Sequence, residues 1–253
     1  MKRWPYPAIF AHRGGGTLAP ENTLAAIRLG QSLGYAAHEF DVKLSADDVA
    51  ILMHDATLER TTTGQGRAAD LPWEALAKLD AGAWHSAAFR GEPIARFEDA
   101  ARLLRSKGTL ANVEIKPTPG AERATGTAVA RLAARFWEGA DVPPLLSSFS
   151  YEALEAAQAA EPGLPRAWLA SEIGEDDWRR AEALRAVSVH TNHAKLDPAS
   201  ISRAHDRGLR LLAYTVNEVA TAERLFALGM DGIFTDSLGE FAVRFPHAIR
   251  EPA

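Results

Sequence analysis

Residues 145–170 read LLSSFSYEALEAAQAAEPGLPRAWLA. Leu145–Phe149 is a short run of strand length, Tyr151–Glu161 is a longer amphipathic stretch, and Pro165–Ala170 is strand-like again. A strand, a helix and a second strand in so few residues is a parallel βαβ unit. Downstream the same rhythm predicts a helix over Glu175–Leu184, a strand over Val187–Thr191, a helix over Pro198–Arg207 and a strand over Leu209–Val216. It then gives a helix over Glu218–Leu228, a strand over Gly232–Thr235 and a last helix over Ser237–Phe245. Upstream it gives Leu110–Lys116 and Ala121–Glu138, and at the start Ala8–Ala11, Thr23–Gly34 and Ala36–Leu44. Val49–His54 is a further strand after a Ser-Ala-Asp-Asp turn, with short helices at about Pro72–Asp80 and Arg96–Lys107. The strands number about eight if Val49–His54 extends the second unit or stands in the wall. Eight units in 253 residues predict an α/β fold, a (β/α)8 TIM barrel. The alternative, a doubly wound sheet, usually carries Gly-x-Gly-x-x-Gly on its first turn, and Gly14-Gly15-Gly16 does not fit that pattern.

One segment breaks the rhythm. Residues 55–109 separate His54 from Leu110, about twice what a barrel unit needs. The chain reads as a single domain over residues 1–253 with an insertion at about 55–108. Long loops at the C-terminal ends of barrel strands usually carry function. Composition narrows the classes. With 47% hydrophobic and 24% charged residues the chain is an ordinary globular protein. It has no cysteine, which excludes a disulfide scaffold, a thiolate metal site and a cysteine nucleophile. The longest strictly hydrophobic run, Val49–Met53, is five residues, against about 20 for a membrane span. A net charge of −5 argues against nucleic acid as a partner. The start lacks a signal peptide's apolar stretch, so a cytoplasmic location without stable membrane association is expected, the oligomeric state staying open.

Barrel strands are buried on both faces and should be apolar runs. Three are not. His12-Arg13 follows directly on the first strand. On the second, alternation puts Glu39, Asp41 and Lys43 on one face. On another, Asn112, Glu114 and Lys116 share a face. The apolar faces must meet the helices, so the charged faces point into the barrel. Inward carboxylates need a partner or a metal. Lys43, Lys116 and Arg13 supply part of the charge, and a divalent cation would supply more. All-oxygen ligands favour Mg²⁺, Ca²⁺ or Mn²⁺ over zinc. The plainer alternative is a set of internal salt bridges at the barrel mouth. His12 and His54 each end an apolar run and suit paired acid/base work. Arg13, Lys116 and the backbone of Gly14–Gly16 suit a phosphate. His190-x-x-His193 has a metal-compatible spacing, but its simpler reading is a loop. His38 lies opposite Glu39 and should pack outward. Residue chemistry alone therefore points to a metal-assisted reaction on a phosphorylated compound.

Together these residues resemble the glycerophosphodiester phosphodiesterase family. The matching text is His12-Arg13-Gly14, Pro20-Glu21-Asn22-Thr23, Glu39-x-Asp41 and His54-Asp55-x-x-Leu58-x-Arg60-Thr61-Thr62-x-Gly64-x-Gly66. Leu79-Asp80-Ala81-Gly82-x-Trp84, Glu114-x-Lys116, Thr215-Val216-Asn217 and Gly229–Asp236 follow in order. The resemblance implies a TIM barrel with a small insertion after the second histidine. It implies His12 and His54 as acid and base, and Glu39, Asp41 and Glu114 as ligands of one Mg²⁺ or Ca²⁺. It implies Arg13 and Lys116 as phosphate contacts and a small-molecule glycerophosphodiester as substrate. Two positions depart from the family: Tyr214 stands where Trp is usual, and Ala95-Arg96 where Pro-Thr is usual. Tyr214 is expected to alter the substrate pocket. Two other readings are a barrel lyase acting on lipid head groups and a non-catalytic barrel. The first calls for apolar or basic loop tips, and the insertion has Trp84 and Phe89 but also Glu92 and no basic cluster. The second calls for a lost catalytic position, and none is lost.

Overall fold

A computed structural model describes residues 4–252. Its strands are β1 (Ile9–Ala11), β2 (Ala37–Leu44), β3 (Ala50–Leu52), β4 (Leu110–Ile115), β5 (Leu145–Ser148), β6 (Arg166–Ala170), β7 (Ser188–Asn192), β8 (Arg210–Tyr214) and β9 (Gly232–Thr235). Its helices are α1 (Leu24–Ser32), α2 (Trp73–Leu76), α3 (Phe97–Ser106), α4 (Glu122–Phe136), α5 (Tyr151–Ala160), α6 (Glu175–Ala183), α7 (Ala199–Asp206), α8 (Val219–Ala227) and α9 (Leu238–Arg244). The strand order is β1-β9-β8-β7-β6-β5-β4-β2, every pair parallel, and β1–β2 pairing closes the ring. This is a (β/α)8 TIM barrel.

Local chemistry sets the element ends. Thr23 caps α1 by accepting from the Ala26 N–H, and Ser150 caps α5 by accepting from that of Ala153. Gly30 lets α1 lie close to the sheet, because a Cβ there would meet the Gly14 carbonyl oxygen at 2.5 Å. His38 packs outward as expected, buried with its Nδ1 3.1 Å from that same oxygen.

Val49–His54 does not enter the barrel wall. Its strand part, β3, runs antiparallel to the end of β2, Val42 opposite Leu52 and Leu44 opposite Ala50. The reason is the turn between them. Ser45 accepts from the Val49 N–H and donates to Asp47, while Asp48 takes a φ of +61°. A reversal this tight makes a hairpin, whereas a parallel neighbour needs a dozen residues or more. The chain then builds an excursion over its own small core, including Ile51, Met53, Leu58, Leu76 and Ile94. Its last part returns to the barrel: Phe97–Ser106 is α3, whose Phe97 packs against Phe40, Phe136 and Trp137.

Two larger cores flank the barrel wall. One lies between strands and helices and holds Ile9, Phe40, Val113, Leu146 and Ile233. The other fills the lower barrel interior with Trp4, Tyr6, Phe10, Leu145, Leu212 and Phe234. Above it, at the C-terminal ends of the strands, the interior becomes charged.

Candidate active site

In a parallel pair, residues in register face the same way. β2 and β4 pair Glu39 with Asn112 and Asp41 with Glu114. That register gathers three carboxylates: Glu39, Asp41 and Glu114 each present an oxygen within 4.8 Å of the others. They are not equivalent. Burial opposes charge on Asp41, but Lys116, His54 and Arg13 and the Asn22 amide outweigh it and hold Asp41 down at about 2. Burial and the neighbouring Asp41 charge push Glu39 up to about 8 and Glu114 up to about 7. The triad thus receives too little positive charge from the surrounding side chains. Two buried carboxylates and a half-buried one with that deficit fit a hard divalent cation.

Cations surround the triad. Lys116 Nζ lies 2.6 Å from Glu114 and 3.4 Å from Asp41. Arg13 reaches Glu21 at 2.7 Å, its Nε 3.9 Å from Asp41, and its backbone N–H donates to Glu39 at 2.9 Å. Lys43, also read as a compensating charge, instead donates to the carbonyls of His54 and Asp55 and so fixes that loop over the barrel.

The two histidines face the same cavity, each backed by a carboxylate. His12 Nδ1 is 2.7 Å from Asp236, and His54 Nδ1 is 2.8 Å from Asp55. A carboxylate only accepts, so each Nδ1 carries the proton and each Nε2 is left for the cavity. Asp236 is itself held by the Asn217 side-chain N–H at 3.2 Å and donates its own N–H to Asn217 at 2.8 Å. Arg60 holds Asp55 and donates twice to Glu21, at 2.7 and 2.8 Å. The environments push the imidazoles apart. Burial lowers the His12 pKa, but the Asp236 bond and the charges of Glu39 and Asp236 outweigh it and raise it. For His54 burial dominates, helped by Lys116, and lowers it. Such a pair can take and give a proton on opposite sides of a substrate.

All seven residues singled out from the sequence (His12, Arg13, Glu39, Asp41, His54, Glu114 and Lys116) line one cavity of about 170 Å³. Tyr214 lines it too, edge-on to Phe149 with ring centres 5.9 Å apart. The glycine run plays a different part from the one expected. Gly14 N–H is spent on the Glu39 carbonyl and Gly16 N–H on that of His12. A Cβ on Gly16, at φ +55°, would overlap the Asp236 carbonyl oxygen. The run makes a tight turn rather than a phosphate cradle. His190 lies in β7, where the strand expected over Val187–Thr191 puts it, and not in a loop as its spacing to His193 suggests; it is fully buried inside the barrel and lines the cavity. His193 starts the next turn. Among the described residues the only group able to hold a metal is the carboxylate triad.

Asp55, Asp236, Asn217, Glu21 and Arg60 stand in the quoted motifs without an expected role. Asp236 had a topological signal: once the barrel closes, Ala11 pairs with Thr235, so the next residues, His12 and Asp236, must be neighbours.

The sequence matches the model of the glycerophosphoryl diester phosphodiesterase family over residues 12–240. It is 32% identical over 232 residues to a glycerophosphodiester phosphodiesterase of Caldanaerobacter subterraneus, covering 90% of this chain and 93% of the relative. Its fold is similar to that of an Oleispira antarctica phosphodiesterase solved in complex with the product sn-glycerol-3-phosphate. There the TM-score is 0.88 at 34% identity, covering 94% of this chain and 97% of that one. A glycerophosphodiester phosphodiesterase of Agrobacterium tumefaciens gives a TM-score of 0.78 at 26% identity, over 94% and 99% of the two chains. No helix of the described residues is long and apolar enough to cross a membrane. This chain belongs to the glycerophosphoryl diester phosphodiesterase family and is a phosphodiester hydrolase.

Proposed function

We propose that the protein hydrolyses glycerophosphodiesters such as glycerophosphocholine or glycerophosphoethanolamine to glycerol 3-phosphate and a free alcohol. The observation that carries this reading is the meeting of the Glu39–Asp41–Glu114 triad with two carboxylate-backed histidines in one cavity. The neighbour that holds sn-glycerol-3-phosphate supports the substrate class.

Glu39, Asp41 and Glu114 would hold one Mg²⁺ or Ca²⁺, the metal types their oxygen donors suit. When bound, the ion supplies positive charge against the phosphate oxygens as negative charge grows on them. Arg13 and Lys116, at the same cavity wall, add to that charge. One of His12 and His54 takes the proton from the attacking hydroxyl through its Nε2. The other gives a proton to the departing alcohol oxygen, so the P–O bond breaks to a neutral alcohol. Asp236 and Asp55 keep each ring turned with Nε2 inward and stabilise its protonated form. The attacking hydroxyl belongs either to water or to the glycerol carbon next to the ester. In the second route a cyclic phosphate forms and is then opened by water.

Phosphorus NMR of the protein incubated with glycerophosphocholine tests this. The expected product signal is glycerol 3-phosphate, with a transient cyclic phosphate if the glycerol hydroxyl attacks. A phosphorylated choline product, or no turnover across several head groups with either metal, contradicts the proposal.

A further inference from the structure

Two buried polar atoms beneath the reacting groups have no partner among the described residues. One is His190 Nδ1 on β7, and the other is Asn112 Oδ1 on β4. Both side chains line the catalytic cavity, and both are almost wholly inaccessible, Asn112 at 2% and His190 at 0% exposure. Their other ends are fixed. His190 Nε2 is 3.1 Å from the Ser188 hydroxyl, and Asn112 Nδ2 donates to Ser147 at 3.0 Å. The His190 ring lies against Phe234, centroids 5.1 Å apart, and Phe234 belongs to the apolar plug below. The cavity thus ends in a closed floor bearing one imidazole nitrogen and one amide oxygen. Burial lowers His190 to about 3, so the ring is neutral and offers a hydrogen bond rather than a charge.

An enclosed floor suits the part of a substrate whose size is constant, and the open mouth, where Phe149 is 44% exposed, suits the part that varies. In a glycerophosphodiester the constant part is glycerol, a small group with two free hydroxyls. We propose that His190, with Asn112 across the floor, recognises the free hydroxyls of the glycerol unit and so sets the enzyme's preference for glycerol over other phosphorylated alcohols. This rests on the reading of the cavity as a glycerophosphodiester site. A buried polar atom left unpaired disfavours any ligand that cannot satisfy it, which makes such atoms strong discriminators.

The test is calorimetric titration of Mg²⁺-loaded protein with sn-glycerol 3-phosphate and with n-propyl phosphate, which keeps the phosphate and chain length but has no free hydroxyl. Wild type should prefer glycerol 3-phosphate. His190→Phe, which keeps an aromatic ring against Phe234, should cut that preference about tenfold, and His190→Gln should restore part of it. If His190→Phe does not fold, Asn112→Ala carries the same test. Unchanged preference in the folded variant or variants overturns the proposal. Glycerophosphocholine cleavage by the wild type is measured alongside. Cleavage with unchanged preference sinks this inference alone. A His190-dependent preference without cleavage sinks the activity reading and leaves the inference standing.

Discussion

The two ends of the barrel interior are built from the same strands and share almost no chemistry. Along β2 the inward positions change from Ala37 to Glu39, Asp41 and Lys43; along β4 from Leu110 to Asn112 and Glu114; and from β1 into its loop from Phe10 to His12. The change takes two residues, about 7 Å of strand at about 3.3 Å per residue, from an apolar plug to a polar and charged cavity. The lower end makes mainly apolar and aromatic contacts, such as Phe10 on Phe234 at 5.0 Å and Tyr6 at 6.1 Å, with the Tyr6 hydroxyl donating to the Pro143 carbonyl at 2.8 Å. The upper end makes ion pairs and leaves buried carboxylates uneasy. The difference teaches a division of labour: the lower interior contributes stability, and the upper interior gives some up to hold charge where a reaction needs it.

That division is breakable. The largest effect is expected at the top: His12→Ala or His54→Ala should lower kcat about 10²–10⁴-fold with little change in Tm, measured by steady-state kinetics and thermal melts. Near-normal activity in either variant would remove that histidine from acid/base work. The mirror-image change is Phe10→Ala, which should cost about 3–5 kcal/mol of stability by denaturant titration while the folded fraction keeps its kcat. A comparable loss of kcat would show that the two ends are coupled. Asp236→Asn sharpens the comparison within the upper end. It should lower kcat about 10–100-fold with KM nearly unchanged, because it alters the tautomer and orientation of His12 rather than substrate contacts.

The smallest effect concerns pH. Glu39 and Glu114, pushed up to about 8 and 7, hold protons in the folded state that the unfolded chain has already released above about 4.5. Stability of the EDTA-treated protein should therefore fall as pH rises from about 5 to 8. Asp41, held at about 2, acts the other way, its contribution being lost as pH falls below about 4. A divalent cation should restore Tm most at the alkaline end. A metal-induced rise in Tm that is flat across this range would mean the two glutamates ionise normally.

The contrast also explains what the amino-acid pattern reveals. Alternation along β2 and β4 assigns the inward carboxylates before any coordinates, because polar residues every second place cannot face a helix layer. The same pattern stands at Ser188-Val-His190-Thr-Asn192, inside a stretch that reads as a strand, but there the inward residues are uncharged, and the His-x-x-His spacing draws the histidine into a loop reading instead. That is how His190 escaped. Asp236 is legible only through ring closure, since 224 positions separate it from His12. For β3 the pattern leaves two places open, in the wall or as an extension of the second unit, because its composition is that of a wall strand; the Ser45–Val49 turn decides for a hairpin on β2. Gly14–Gly16 resembles an anion cradle because glycine frees the backbone, but the N–H groups of Gly14 and Gly16 are already bonded to the carbonyls of Glu39 and His12.

The central claim is that the upper interior is a cation site on which the reaction depends. It is tested most directly by titrating EDTA-treated protein with Mg²⁺ and with Ca²⁺ at pH 8, following binding by calorimetry and glycerophosphocholine cleavage in the same samples. The account predicts one ion per chain and activity that returns in step with its binding, with both lost in Asp41→Asn. Full activity in the stripped protein, or unchanged binding in Asp41→Asn, would contradict it.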